Sequence, residues 1–227
     1  VLSYTEENYL KALLSLTGFE KGNEEAGTNE LALQLGVKPA TANDMLKKLR
    51  EKGYLEYEKY GKIRLSDTGR QSAILVLRKH RLWETFLHQK LEFTWDEVHE
   101  VAEQMEHIQS EKLIEKLDWF LSYPQFDPHG DPIPNAAGQM PGYERVLLSE
   151  LELSIPCRVA AVKNTSPAFL QYLGHLGIGV GTILTITAKV EFDSSLQIQF
   201  DNRAQMISSK FAENLWVELF ENPNHCE

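Results

Sequence analysis

The chain has 227 residues, 42% hydrophobic and 25% charged, with a net charge of −10, enough for one large core or several small ones. No apolar run approaches the ~18 residues of a membrane span and no charged-then-apolar leader opens the chain, so a soluble, cytoplasmic protein is expected. Cys157 and Cys226 lie far apart in no CxxC pattern, which argues against a disulfide framework and a thiolate zinc site.

Along the chain, residues 1–66 read as three helices and a hairpin. Thr5 is a candidate N-cap for a first helix carrying Tyr9, Leu10, Leu13, Leu14 and Leu16, and GFEKGNEEAG reads as a loop. Thr28 then caps a short helix with Leu31, Ala32 and Leu35 on one side, ended by Gly36. Pro39 sits at a tolerated first-turn position and opens a helix with Ala42, Met45, Leu46 and Leu49 at helical spacing. LEYEKYGKIRL alternates around Tyr60-Gly61, the pattern of a two-stranded wing.

Residues 67–123 are helical throughout. A long helix covers about Asp67 to Leu91, TWDE forms a capping box for the next, and a third runs from about Ser110 to Leu121. Residues 124–146 hold five of the nine prolines and read as an ordered turn and linker. From 147 to 227 short strands (CRVAAV, TILTITAKVEF, LQIQF, LWVELF) surround a helix near AFLQYLGHLG, which reads as a small β-barrel. The fold class is therefore mainly α with a small β domain.

Charge is unevenly spread. Residues 34–81 carry 12 Lys+Arg against 5 Asp+Glu, whereas residues 92–227 carry 8 against 21. A basic segment in an acidic protein is a footprint for a polyanion. That segment contains a helix-turn-helix followed by the wing. Pro39, Ala40, Thr41 and Asn43 lie near the N-terminus of its second helix, where small and hydrogen-bonding side chains reach base edges. Lys47, Lys48 and Arg50, with the wing residues Lys59, Lys62 and Arg64, suit phosphates. Double-stranded DNA is the expected partner.

HEVAEQMEH (residues 99–107) raises a second chemistry. At about 100° per residue, His99, Glu103, Glu106 and His107 share one arc of a helix. Val98, Val101, Ala102, Met105 and Ile108 form an apolar stripe roughly 150° away. The preceding helix carries His80 and Glu84 at i, i+4, and the turn after the third helix adds Asp127 and His129. Three clusters of imidazole and carboxylate without thiolate suit Mn²⁺, Fe²⁺, Zn²⁺, Co²⁺ or Ni²⁺.

The order of winged helix, KHRLWE (79–84), HEVAEQMEH, DPHGDPIP (127–134) and small β-barrel resembles the diphtheria toxin repressor and manganese transport regulator family over essentially the whole chain. The resemblance implies a winged helix, a helical dimerisation and metal-binding domain and a C-terminal SH3-like, FeoA-like domain. It implies a primary, activating site of Glu103, Glu106 and His107, completed from the first helix near Asn8. A second site would use His80, Glu84 and His99, or else His80 joins the primary ligands and Glu84 joins Asp127 and His129. Asn164 would add a barrel ligand.

Glu103 stands where iron-type members have cysteine, which moves preference toward Mn²⁺. Asn8 and Lys11 depart from the acidic residues of manganese-type members: either Asn8 offers a carbonyl oxygen, or Glu7 turns toward the ion. The implied function is a Mn²⁺- or Fe²⁺-dependent repressor controlling metal-ion homeostasis, a homodimer on a palindromic operator, not an enzyme and without other small-molecule substrates. Two other readings stand beside it: a DNA-binding repressor not activated by metal, and a His/Glu metallohydrolase. The second has no HExxH motif or Gly-rich loop to support it.

Overall fold

The computed structural model describes residues 2–18, 25–57 and 62–219. Helix α1 spans Tyr4–Thr17, and its cap is Ser3 rather than Thr5. Ser3 and Glu6 form a reciprocal capping box, Glu6 Oε2 accepting from the Ser3 amide at 2.8 Å, so the helix starts earlier than the apolar pattern alone suggests. Helix α2 spans Thr28–Gln34, and Thr28 is its first residue, not its cap. The Gly27 amide donates to Glu30 Oε2 at 3.0 Å, which moves the cap one position back.

Helix α3 spans Pro39–Glu51, with Pro39 in the first turn where no amide proton is needed. Ala42, Leu46 and Leu49 are fully buried on one side of it, in a core with Leu10, Leu13 and Leu14 of α1 and Leu31 of α2. The wing pairs β1 (Leu55–Tyr57) with β2 (Ile63–Leu65) antiparallel, Leu55 opposite Leu65, and Ala26 bridges to Ile63. The expected wing tip at Tyr60-Gly61, with Lys59, lies outside the described residues.

Helices α4 (Asp67–Leu91), α5 (Val98–Met105) and α6 (Glu111–Phe120) follow. Thr94 and Glu97 hold the turn into α5: the Thr94 amide donates to Glu97 Oε2 at 2.9 Å. The apolar residues of α6 and its end divide into two groups. Ile114, Leu117 and Leu121 are buried, whereas Leu113, Trp119 and Phe120 are exposed.

The chain forms two compact units. One comprises residues 1–83, 102–122 and 133–140, the other 84–101, 123–132 and 141–227. In the second, six antiparallel strands run β3-β8-β4-β5-β6-β7: β3 (Val146–Leu147), β4 (Pro156–Val162), β5 (Ile183–Lys189), β6 (Leu196–Phe200), β7 (Arg203–Ile207) and β8 (Leu215–Leu219). Helices α7 (Pro167–Leu176) and α8 (Ser209–Ala212) complete it. Strand β7 escaped the sequence reading. Its signal is Asp201-Asn202, both at positive φ, a two-residue turn whose twist matches the strands it joins. Among the described residues no helix is long and apolar enough to cross a membrane.

Candidate metal centres and DNA-binding face

Within the first unit, Tyr4, Glu7 and Lys11 recur at i, i+3 and i+7 and share one face of α1. That face meets the end of α5. Glu7 Oε2 lies 2.6 Å from His107 Nδ1, its other oxygen accepts from Gln109 Nε2 at 2.7 Å, and Tyr4 stacks on the His107 ring at 4.7 Å. Lys11 Nζ donates to Glu106 Oε2 at 2.6 Å and lies 3.5 Å from Glu103 Oε1. His80 Nδ1, from α4, is also 2.6 Å from Glu106 Oε2. Glu106 is 0% exposed. Burial pushes its carboxyl pKa up, but the His80 bond and the Lys11 charge outweigh that and hold it below the ordinary value. The Lys79 pKa is lowered as well, but by burial, which disfavours its ammonium and is only partly offset by Glu7 and Glu106.

One atom in this cluster has no partner. Glu106 Oε1 is buried without a hydrogen bond, and His107 Nε2 lies 3.8 Å from it. A buried, unsatisfied carboxylate oxygen is costly unless something binds it. Glu7 matters to the same geometry. If His107 Nδ1 donates its proton to Glu7, the Nε2 lone pair is left toward Glu106, the usual way a carboxylate orients a metal-binding imidazole. The residues therefore fit a divalent cation with one oxygen and one nitrogen ligand already presented.

In the second unit, Glu84, Asp127 and His129 are all buried, with candidate ligand atoms within 4.8 Å of one another. The turn that carries two of them is tightly built. Asp127 Oδ1 accepts from the amides of His129 and Asp131 at 2.8 and 2.9 Å, and the Val162 amide of β4 donates to His129 O at 2.9 Å. Gly130 has φ +84°, and a Cβ there would lie 2.0 Å from Ala160 O, so only glycine fits.

His129 Nε2 is 2.7 Å from the Trp95 carbonyl, and its Nδ1 is 3.8 Å from Glu84 Oε2. Burial opposes a charge on this ring, but Glu84, Asp127 and the Trp95 carbonyl together push its pKa up to about 9. A proton thus supplies here the positive charge that two buried carboxylates demand. Replacing it by an ion would leave Nε2–H donating to Trp95 and Nδ1 as the ligand atom. His99, with half its side chain exposed, places Nδ1 3.1 Å from Glu84 Oε1.

The third feature is the face of α3. Pro39, Ala40, Thr41, Asn43, Lys47, Lys48 and Arg50 are exposed, opposite the buried Ala42, Leu46 and Leu49. Its cations already have local partners. Lys47 lies 3.8 Å from Asp44, and Lys48 lies 3.0 Å from the buried Glu6 Oε1. In the wing, Lys62 lies 2.7 Å from Glu25 and Arg64 lies 2.6 Å from Glu56. Apart from the contact to Glu6, these are surface pairs worth little, so exchanging the carboxylate for another anion would cost little.

Sequence models of three domains match in order: iron dependent repressor N-terminal DNA binding domain at residues 1–63, iron dependent repressor metal binding and dimerisation domain at 66–135, and FeoA domain at 146–219. The iron-dependent repressor IdeR of Mycobacterium bovis is 32% identical over 172 residues, covering 71% of this chain and 72% of that protein. The chain belongs to the iron-dependent (diphtheria toxin) repressor family. The diphtheria toxin repressor of Corynebacterium jeikeium is 30% identical over 94% of this chain and 96% of that protein. A solved manganese-dependent transcriptional repressor in complex with manganese superposes with a TM-score of 0.83 at 33% identity, covering 95% of this chain and all of that one.

Like its relatives, this repressor is a metal-dependent, DNA-binding transcriptional regulator with an SH3-like C-terminal domain. Against that background the expected ligands sort themselves. Glu106, His107 and His80 come together, with Glu103 at the rim; Glu84, Asp127 and His129 come together, with His99 beside them. Asn8 is not brought in: it is exposed on α1, and its neighbour Glu7 faces His107 instead, because the two are ~100° apart on the helix. Asn164 is half-buried and spends its Oδ1 on the Ser166 amide at 2.9 Å. Glu6, Lys11 and Trp95 entered no expected site. The spacing of Tyr4, Glu7 and Lys11 carried a readable signal for the α1 face; a backbone carbonyl such as that of Trp95 leaves none.

Proposed function

We propose that this repressor is a cytoplasmic homodimer activated by Mn²⁺ or Fe²⁺, which Zn²⁺, Co²⁺ or Ni²⁺ replace, and that it reads a palindromic operator controlling metal-ion homeostasis. It is a binding protein rather than an enzyme. Glu103, Glu106, His107 and His80 hold the first ion; Glu84, Asp127 and His129, with His99, hold the second. Each donor set combines two carboxylates with two imidazoles and no thiolate, which suits Mn²⁺ and Fe²⁺ and also admits Zn²⁺, Co²⁺ or Ni²⁺. The observation that carries the reading is the buried Glu106 Oε1, unpartnered and 3.8 Å from His107 Nε2.

Helix α1 supports a coupling between ion and DNA. Its Glu7 orients His107, while Glu6, the adjacent residue, accepts from Lys52 at 2.7 Å and lies 3.0 Å from Lys48 at the end of α3. One helix thus fastens the end of α5 to the helix that carries Thr41 and Asn43. Glu106, Glu103 and His107 would hold the ion, which would supply the positive charge the two carboxylates lack. The chain's residues do the rest, holding α1 and α3 in the arrangement that fits the major groove. A hundredfold activation needs about 2.7 kcal/mol of coupling. The exposed Leu113, Trp119 and Phe120 of α6 suit the contact between copies, which would set two recognition helices about one DNA turn apart.

Crystals grown with Mn²⁺ and measured at its absorption edge test the assignment. Anomalous peaks between Glu106 and His107, and among Glu84, Asp127 and His129, are expected. Peaks elsewhere, or none, contradict it.

A further inference from the structure

The Lys11 ammonium occupies the carboxylate side of the first candidate centre. It lies 2.6 Å from Glu106 Oε2 and 3.5 Å from Glu103 Oε1, with only 18% of its side chain exposed. Lys11 and Glu7 are one turn apart on α1, so the same face that orients His107 also delivers a cation to its carboxylate neighbours. A buried carboxylate with a cation bonded to one oxygen and nothing bonded to the other is half-compensated. The ammonium meets the charge of Glu106, and Oε1 stays open toward His107.

We propose that Lys11 is a tethered counter-cation of the metal centre, holding the site closed in the metal-free protein and competing with the ion for Glu106 and Glu103. This rests on Glu106 and His107 being metal ligands. A divalent ion drawing on both carboxylates must displace the ammonium or share a ligand with it, and two adjacent cations repel. Lys11 therefore weakens metal binding. That competition raises the ion concentration at which the repressor responds, while the same bond keeps α1 joined to the end of α5 in the metal-free protein.

The test is calorimetric titration of full-length, chelator-stripped protein with Mn²⁺, beside thermal unfolding of the same samples without metal. Lys11→Gln removes the charge and is expected to tighten Mn²⁺ binding at this site about tenfold or more, as loss of a charge-assisted bond to Glu106 implies. It should also lower the unfolding temperature of the metal-free protein. Lys11→Arg keeps the charge and should bind Mn²⁺ no more tightly than wild type, so a variant that folds poorly does not decide the matter alone. Unchanged or weaker Mn²⁺ affinity in Lys11→Gln, or equal tightening in both variants, overturns the competition. Glu106→Gln separates this from failure of the underlying site. If it leaves the Mn²⁺ stoichiometry and affinity of wild type untouched, the ligand assignment falls, and the Lys11 proposal with it.

Discussion

Glu6 Oε1 accepts a 2.7 Å hydrogen bond from Lys52, which caps the C-terminal end of the recognition helix. Glu6 is fully buried, and its other oxygen already closes the Ser3 capping box. Glu6→Gln keeps the shape but surrenders the charge that Lys52 and Lys48 meet. A loss of about 1–3 kcal/mol in urea unfolding is expected, typical of hydrogen bonds to charged groups. A change within measurement error would mean these contacts do not fasten α1 to α3.

The same carboxylate predicts a pH dependence. Burial pushes its pKa up, but the bonds from Lys52, the Ser3 amide and Lys48 outweigh that and hold it at about 2, below the ordinary 4.5. A depressed folded-state pKa stabilises the fold fully above the unfolded value, and that contribution fades as pH falls from 4.5 through 2. The stability gap between wild type and Glu6→Gln should therefore be constant at pH 6–7 and close as pH approaches 2. Equilibrium unfolding across that range checks it, and a gap that widens in acid would contradict the assignment.

On the DNA face, Asn43→Ala should cost about 1–3 kcal/mol on a selected operator and relax preference at one position. Lys47→Ala should weaken binding to all sequences alike and lower the salt slope by about one. Anisotropy titrations over several salt concentrations distinguish them; identical behaviour of the two variants would deny base contact to Asn43.

Two packing positions give structural checks. Leu46 is 0% exposed beneath the recognition face, and Leu46→Ala should cost about 2–5 kcal/mol. Gly130→Ala forces its new Cβ onto Ala160 O and demands a positive φ, so it should destabilise the second unit and weaken the second metal site while leaving the first intact. Differential metal titration of the variant reads the two sites separately, and loss of both together would argue that they are not independent.

Much of this architecture is legible in the sequence. The helix-turn-helix declares itself because Ala42, Leu46 and Leu49 repeat at helical spacing while Pro39 and Gly36 punctuate it. His80 with Glu84, and Glu103 with Glu106 and His107, were readable as clusters of candidate ligands because a helix puts i, i+3 and i+4 on one face. Partnership between elements was harder. Nothing in EEN says whether Glu7 or Asn8 turns toward α5, since that depends on how α1 is rotated in its core. Lys11 was visible as a departure from the family pattern, but its bond to Glu106 crosses 95 residues of sequence. The helix starts at Ser3 and Gly27 were misplaced because Glu6 and Glu30 reach back to amides that the apolar pattern ignores.

The central claim is that metal bound at Glu106 and His107 controls operator affinity through α1. The direct measurement is operator binding by full-length protein as Mn²⁺ is titrated into a chelator-stripped sample, repeated with Glu106→Gln/His107→Asn. Wild type should gain at least tenfold in affinity with saturating Mn²⁺, and the double variant should gain nothing. Equal operator binding by stripped and Mn²⁺-loaded wild type would contradict the account.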